Sequence, residues 1–321
     1  VHWFNLESVL MSNISQFFKS GQGGLAPGRN NRRIYASPGP YTFVAPPTTT
    51  EVEIHCWGGG GGTYGAGGGG GGGGGYARYV WDTTGGESFA LTVGAGQSPS
   101  DTGPAAGTTS AECTSQSPGS PIQATGGSKA AAFNGNVGGA GGVGSGTVPS
   151  PRSSFLITSN GGTGGAASPL STGPYASGGG GGAGSFYGPG GNGSPYERTD
   201  IGGGGGSTLT ASTNREGAPG HFYPVDAEGW YFVEELVGGD GGVGANGFPA
   251  TGSLLGDAGH GGFLAGGGGA HMYPTLPQHL DSAEKGGNGG IAGGGGGSRS
   301  NPNVLTNGGA GGTGLIIVYY N

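Results

Sequence analysis

Charge is scarce in this chain, and basic charge is scarcest. Of 321 residues only 11 are Lys or Arg, against 18 Asp or Glu, for a formal net charge of −7. Nucleic-acid binding rests on neutralising many phosphates, so no nucleic-acid partner is expected. The sole basic cluster is Arg29, Arg32 and Arg33. Cysteine is nearly absent too. Cys56 and Cys113 rule out a disulfide framework and leave open whether the two pair with each other. No run of 18 apolar residues exists, so no membrane insertion is expected. The first residues lack the basic and apolar regions of a signal peptide. Met11 followed by Ser-Asn-Ile-Ser has the form of a start, which would make residues 1–10 an upstream extension.

Motifs of catalysis are also missing. There is no Walker A, H-E-x-x-H or G-x-S-x-G sequence. A strand running into glycines at 51–62 superficially matches a dinucleotide fingerprint, but that fold needs a helix next, and glycines follow instead. Gly238-Gly-Asp-Gly-Gly stands as one copy where the Ca²⁺-binding nonapeptide needs tandem copies. His2, His55, His221, His260, His271 and His279 share no ligand spacing beyond the pair in one insert, and read as surface residues. No cofactor, metal or enzymatic activity is expected.

What the chain has is glycine: 88 residues, with unbroken runs at 58–62, 67–75, 178–182, 202–206 and 293–297. Glycine buries no side chain and loses the most backbone entropy on ordering. Such runs either stay disordered or pack backbone against backbone. Two features favour order. Charge is only 9%, well below the usual level of disordered chains. The runs also alternate with short segments rich in aromatic and β-branched residues. Collagen is excluded because no strict Gly-X-Y period is kept. The ordered alternative is a bundle of polyglycine-II helices, with three residues per turn and backbone groups pointing outward in three directions. Six neighbours can then surround each helix.

Residues 6–19 carry the one plausible α-helix, with Leu6, Leu10, Ile14 and Phe17 on one face. Residues 20–36 are polar and basic and read as an extended arm. Strand patterns follow at 40–44, 51–57, 76–82 and 89–93. In the second of these, Val52, Ile54 and Cys56 face one way, and Glu51, Glu53 and His55 the other. The closing run 315–320 is apolar on both faces, as in the middle of a packed sheet. Between them lie tracts separated by inserts at 97–133, 147–160, 166–177, 185–201, 207–237, 246–257, 270–285 and 298–307. The expected fold is mainly β: a small antiparallel sheet or sandwich closed by its first and last strands, with an inserted polyglycine-II bundle and little α-helix. Residues 1–36 form an attachment arm and 37–321 the glycine-rich domain, its β-framework at 40–96 and 314–321.

The segments Tyr41-Thr-Phe-Val, Val52-Glu-Ile-His-Cys-Trp-Gly-Gly, Tyr76-Ala-Arg-Tyr-Val and Gly314-Leu-Ile-Ile-Val-Tyr-Tyr resemble, in that order, the glycine-rich domain of bacteriophage tail-fibre and virion proteins. The tracts with variable inserts are also similar to the tail-tip adhesins of T-even-type phages. The chain also resembles a glycine-rich domain of animal receptor tyrosine kinases. The phage resemblance implies a virion-surface protein, assembled in the host cytoplasm, that binds a host cell-surface protein or glycan without catalysis. It leaves homo-oligomerisation open.

Aromatic, Arg and Met side chains on loops suit such recognition. The candidates are Tyr187, Tyr196, Arg198, His221, Phe222, Tyr223, Trp230, Tyr231, His271, Met272 and Tyr273. Padding of the bundle is the alternative role for them. Phe17, Phe18, Arg29, Arg32 and Arg33 are the candidates for attachment to other virion proteins. Alternative readings are a structural capsid or tail decoration protein, and an ice-binding protein, which would need a flat Thr- or Ala-rich face.

Overall fold

The computed structural model describes residues 31–63, 69–99, 105–116, 119–130, 137–148, 155–167, 178–186, 188–193, 260–261, 264–267, 286–297 and 308–321. The helix expected at 6–19 lies outside them.

Among the described residues ten strands form two five-stranded antiparallel sheets. The strands are β1 Asn31–Tyr35, β2 Gly39–Val44, β3 Glu51–Trp57, β4 Tyr76–Asp82, β5 Ser88–Val93, β6 Thr109–Cys113, β7 Ile122–Ala124, β8 Gly144–Gly146, β9 Ile157–Ser159 and β10 Leu315–Tyr320. The first sheet has the order β1-β10-β3-β4-β9, the second β2-β5-β6-β7-β8. First and last strands therefore pair, with Asn31 opposite Tyr320 and Tyr35 opposite Ile316. The last strand lies between β1 and β3, as its two-faced apolar pattern predicts.

The core between the sheets follows the strand alternation. Val52, Ile54 and Cys56 of β3, Tyr79 and Trp81 of β4, and Ile316 and Val318 of β10 meet Phe43, Phe89, Leu91, Val93, Ala111, Cys113 and Ile122 of the second sheet. The other face of β10, with Leu315 and Ile317, packs with Trp57, Tyr76, Ala183, Leu264 and Ala292. The first sheet is thus buried on both sides. Its outer cover comes from side chains set among glycines.

Three expectations are corrected by these strands. Residues 31–35, placed in the extended arm, form the edge strand β1, whose Ile34 packs on the second cluster. Residues placed in the inserts 97–133 and 147–160 form β6, β7 and β9, and Gly144–Gly146 between those inserts form β8. These strands are only three to five residues long, and their Ser, Ala and Gly dilute the strand preference of Thr and Ile. Third, His55 is a buried strand residue, not a surface one.

Cys56 and Cys113 are free thiols in the sandwich core. Burial pushes both thiols above their ordinary range, which removes thiolate reactivity. A reductant is therefore expected to leave the melting temperature unchanged, as a scan with and without it would show. A drop on reduction would indicate a bond between them.

The strands do not stop at turns on one side of the sandwich. β3 runs into Gly58, β5 into Gly94, β7 into Thr125 and β9 into Asn160, while β4, β8 and β10 are entered from Gly75, Val143 and Gly314. The glycine segments continue the strands as a bundle.

The tract 69–75 is its axis. Its amide donors turn to a new neighbour at each residue and return every third. Gly70 and Gly73 donate to Gly165 and Gly162, Gly71 and Gly74 to Gly295 and Ala292, and Gly72 and Gly75 to Ser128 and Thr125, at 2.7–3.0 Å. Its carbonyls accept in the same rhythm. Gly139 and Gly142 bond Gly70 and Gly73, Gly181 and Gly184 bond Gly71 and Gly74, and Gly61 and Gly58 bond Gly72 and Gly75. That threefold return is the geometry of polyglycine II. No tract glycine among the described residues has positive φ, so the helices are left-handed.

The six neighbours close a ring. Gly127 bonds Gly59, Ser128 bonds Ala140, Gly161 bonds Gly142, Gly162 bonds Gly182, Gly294 bonds Gly181 and Gly295 bonds Gly61. Further segments at 188–193, 264–267, 286–290, 309–313, 94–97 and 105–107 attach to this hexagon through bonds of the same kind. Every backbone group of 70–75 is satisfied without a side chain, as a buried backbone requires.

Candidate functional site

The tracts share an axis, some running parallel and some antiparallel to 69–75, and this sorts the inserts. Register with the axis places the ends of each segment. Gly58 pairs with Gly75 beside the sheet and Gly61 with Gly72, so Thr63 lies at the end away from the sheet. Ser128 is level with Gly72 and Thr125 with Gly75, so Ala130 lies at the same far end. Gly139 is level with Gly70, and Gly165 with Gly70, which places Val137 and Ala167 there too. Gly193, Gly267, Gly286, Gly297 and Gly308 follow by the bonds Gly193–Thr163, Gly180–Gly267, Gly296–Gly287, Gly297–Gly178 and Gly309–Gly296. The described residues flanking 64–68, 131–136, 168–177, 194–259, 268–285 and 298–307 therefore all lie at one pole of the bundle.

The opposite pole belongs to the sandwich. Asn31, where the described chain begins, pairs with Tyr320 at the strand end remote from the glycines. Arg32 and Arg33 stand on this edge strand, Arg33 exposed and Arg32 half-buried. Phe17, Phe18 and Arg29 lie outside the described residues.

Of the recognition candidates, Tyr196, Arg198, His221, Phe222, Tyr223, Trp230, Tyr231, His271, Met272 and Tyr273 lie outside the described residues, within segments flanked at the far pole. Tyr187 is also outside them, but its flanks are not at that pole. Ser185 and Gly188 form a bridge next to the first sheet, and Phe186 lies beside Arg78. The structure thus separates Tyr187 from the other candidates.

At this junction sits a polar cluster that the sequence does not announce. Glu53 accepts hydrogen bonds at Oε1 from Arg78 Nε and from His55 Nε2, the latter at 2.8 Å. An ionised carboxylate only accepts, so His55 carries its proton on Nε2 and takes the Tyr76 hydroxyl on Nδ1 at 2.8 Å. Glu53, His55 and Tyr76 are buried, and Arg78 reaches outward under the Phe186 ring, 5.7 Å from its centroid. Burial lowers the Arg78 pKa, offset in part by Tyr76 and Glu51. Trp57 and Tyr319 enclose the His55 ring. The Tyr76 hydroxyl has no access to a substrate, so the cluster ties β3 to β4 rather than offering a reactive group. The signal for it was the Glu53-x-His55 alternation opposite Arg78, which reads equally well as a solvent face.

Residues 36–154 match the family model of the glycine-rich domain. The match takes in β2 to β8 and the axial tract 69–75, and ends before β9 and the second half of the ring. No curated protein matches the chain. Among the described residues no cluster of metal-ligating side chains is present, and no helix is long and apolar enough to cross a membrane.

Proposed function

We propose that this chain is a non-enzymatic phage virion protein, a tail-fibre or tail-tip adhesin. Its inserts bind a host cell-surface protein or glycan, and its N-terminal residues bind other virion proteins. The observation that carries this reading is the polarity of the glycine-rich domain. Segments bearing the aromatic candidates other than Tyr187 are flanked at one pole, and residues 1–30 join at the other. A lattice of backbone bonds holds its geometry independently of insert sequence, so inserts can vary without cost to the fold. Rigid aromatics on such a frame lose little entropy on binding.

The test uses whole particles. Exchanging 219–232 or 270–279 for unrelated inserts is expected to change which cells the particle adsorbs to, with assembly intact. Deleting 12–30 while keeping β1 is expected to leave the domain folded but absent from purified particles. Particles that keep their host range after both exchanges would favour a structural decoration protein instead.

A further inference from the structure

The surface of the glycine bundle carries a repeated clasp, in which one side chain and the next amide grip a single residue of a neighbouring segment. Asn192 Oδ1 accepts the Thr163 amide at 2.9 Å, and the Gly193 amide donates to the Thr163 carbonyl at 2.8 Å. Asn288 and Gly289 hold Ala310 in the same way, at 2.9 and 2.8 Å. His260 and Gly261 hold Asn288: Nδ1 accepts its amide at 2.9 Å and the Gly261 amide donates to its carbonyl at 2.8 Å. Among the described residues one design thus recurs, twice on asparagine and once on histidine.

The exchange of residue type has a geometric reason. Histidine Nδ1 and asparagine Oδ1 lie the same number of bonds from Cα, so either reaches the amide across the groove. Their acid–base behaviour differs. An amide oxygen accepts at any pH, whereas imidazole accepts at Nδ1 only when neutral, and in the cation both nitrogens donate. Histidine ordinarily changes charge between about pH 5 and 8. His260 is exposed, so a proton reaches it from solvent. The described segments packed against this clasp, 264–267 and 286–290, carry no ionisable side chain to compensate the added charge.

The clasps also have a telling place in the chain. Gly193 is the last described residue before 194–259, and His260 is the first after it. An asparagine clasp therefore anchors the chain on one side of that stretch and the histidine clasp anchors it on the other. The stretch carries His221, Phe222, Tyr223, Trp230 and Tyr231. We propose that the His260 clasp is a pH-sensitive latch. Acid protonates Nδ1, sets a donor against the Asn288 amide and loosens the chain at His260, while the Asn192 clasp holds at any pH. The consequence for recognition rests on the function proposed above; the latch itself does not.

The experiment is amide hydrogen exchange by NMR on the full labelled chain at about pH 7.5 and about pH 5, on either side of the ordinary histidine range. With the intrinsic pH dependence of exchange divided out, protection of the Asn288 amide is expected to fall about threefold to tenfold in acid. Protection of Thr163, held by asparagine, is expected to stay constant. His260→Asn is expected to keep Asn288 protected at both pH values, and His260→Ala to leave it unprotected at both. Constant protection of Asn288 in the parent chain would overturn the proposal, and so would an equal acid loss in His260→Asn. These amides report the latch without reference to any receptor. A pH-dependent Asn288 together with unchanged cell adsorption after the insert exchanges would therefore uphold the latch and sink the adhesin reading.

Discussion

Replacing Gly71 by valine is expected to destabilise the domain by about 3–5 kcal/mol, several times the effect of any exposed substitution. Gly71 sits in the axial tract with a helix on every side. A Cβ there would fall on the Gly61 carbonyl oxygen, with Gly62 O close behind. Both are backbone atoms, so no side chain can swing away. Relief requires the tract 58–62 to move. That movement strains the bonds Gly61–Gly72 and Gly295–Gly61, and the valine itself crowds Gly71–Gly295 and Gly181–Gly71. Each such bond is worth about 1 kcal/mol net. Thermal or denaturant unfolding would measure the loss. The control is Val44→Thr, on the edge strand β2 and 56% exposed, which is expected to stay within about 0.5 kcal/mol of the parent. Equal stabilities for the two variants would contradict the lattice.

The second large effect concerns Arg78. Arg78→Leu keeps much of the aliphatic stem but leaves Glu53 buried with one donor fewer. Breaking a buried pair by removing one partner typically costs about 3–5 kcal/mol, because the remaining charge is uncompensated. Here His55 still donates to Glu53, and Arg78 is partly open to solvent. A loss near 3 kcal/mol is therefore expected, again by denaturant unfolding. The double variant Glu53→Gln, Arg78→Leu should recover part of it, since no bare carboxylate then remains. A double variant less stable than Arg78→Leu alone would show that the carboxylate is not the source of the cost.

The two-faced run 315–320 and the alternation in 51–57 make the position of β10 and the core face of β3 legible in the residues alone. Glycine contiguity, together with the lack of charge, makes the bundle legible as well. The partners of each tract are not legible. A glycine at one site is identical to a glycine at another, so register is set by strands at one end and by insert lengths at the other. The strands β6 to β9 are hidden for a related reason. Runs of three to five residues that mix Ser, Ala and Gly with Thr and Ile are too short to show an alternation, and pairing with neighbouring strands dictates their conformation. The buried role of Glu53 and His55 is hidden because Trp57, Tyr319 and the bundle cover a face that alternation assigns to water. The candidates from Tyr196 to Tyr273 rest on composition alone, and composition says nothing about where the flanks of an insert lie.

The direct passage of strands into glycine helices has a mechanical consequence. A pull between the far pole and residues 1–30 enters the body through many covalent segments at once, all roughly along the load. It reaches Asn31 through the β1–β10 ladder, whose register pairs run from Asn31–Tyr320 to Tyr35–Ile316. With β10 drawn toward the bundle at Leu315 and β1 drawn the other way at Asn31, the ladder is loaded in shear. Its bonds then resist together instead of peeling in turn. A tether gripped at both ends in this manner fails late and all at once.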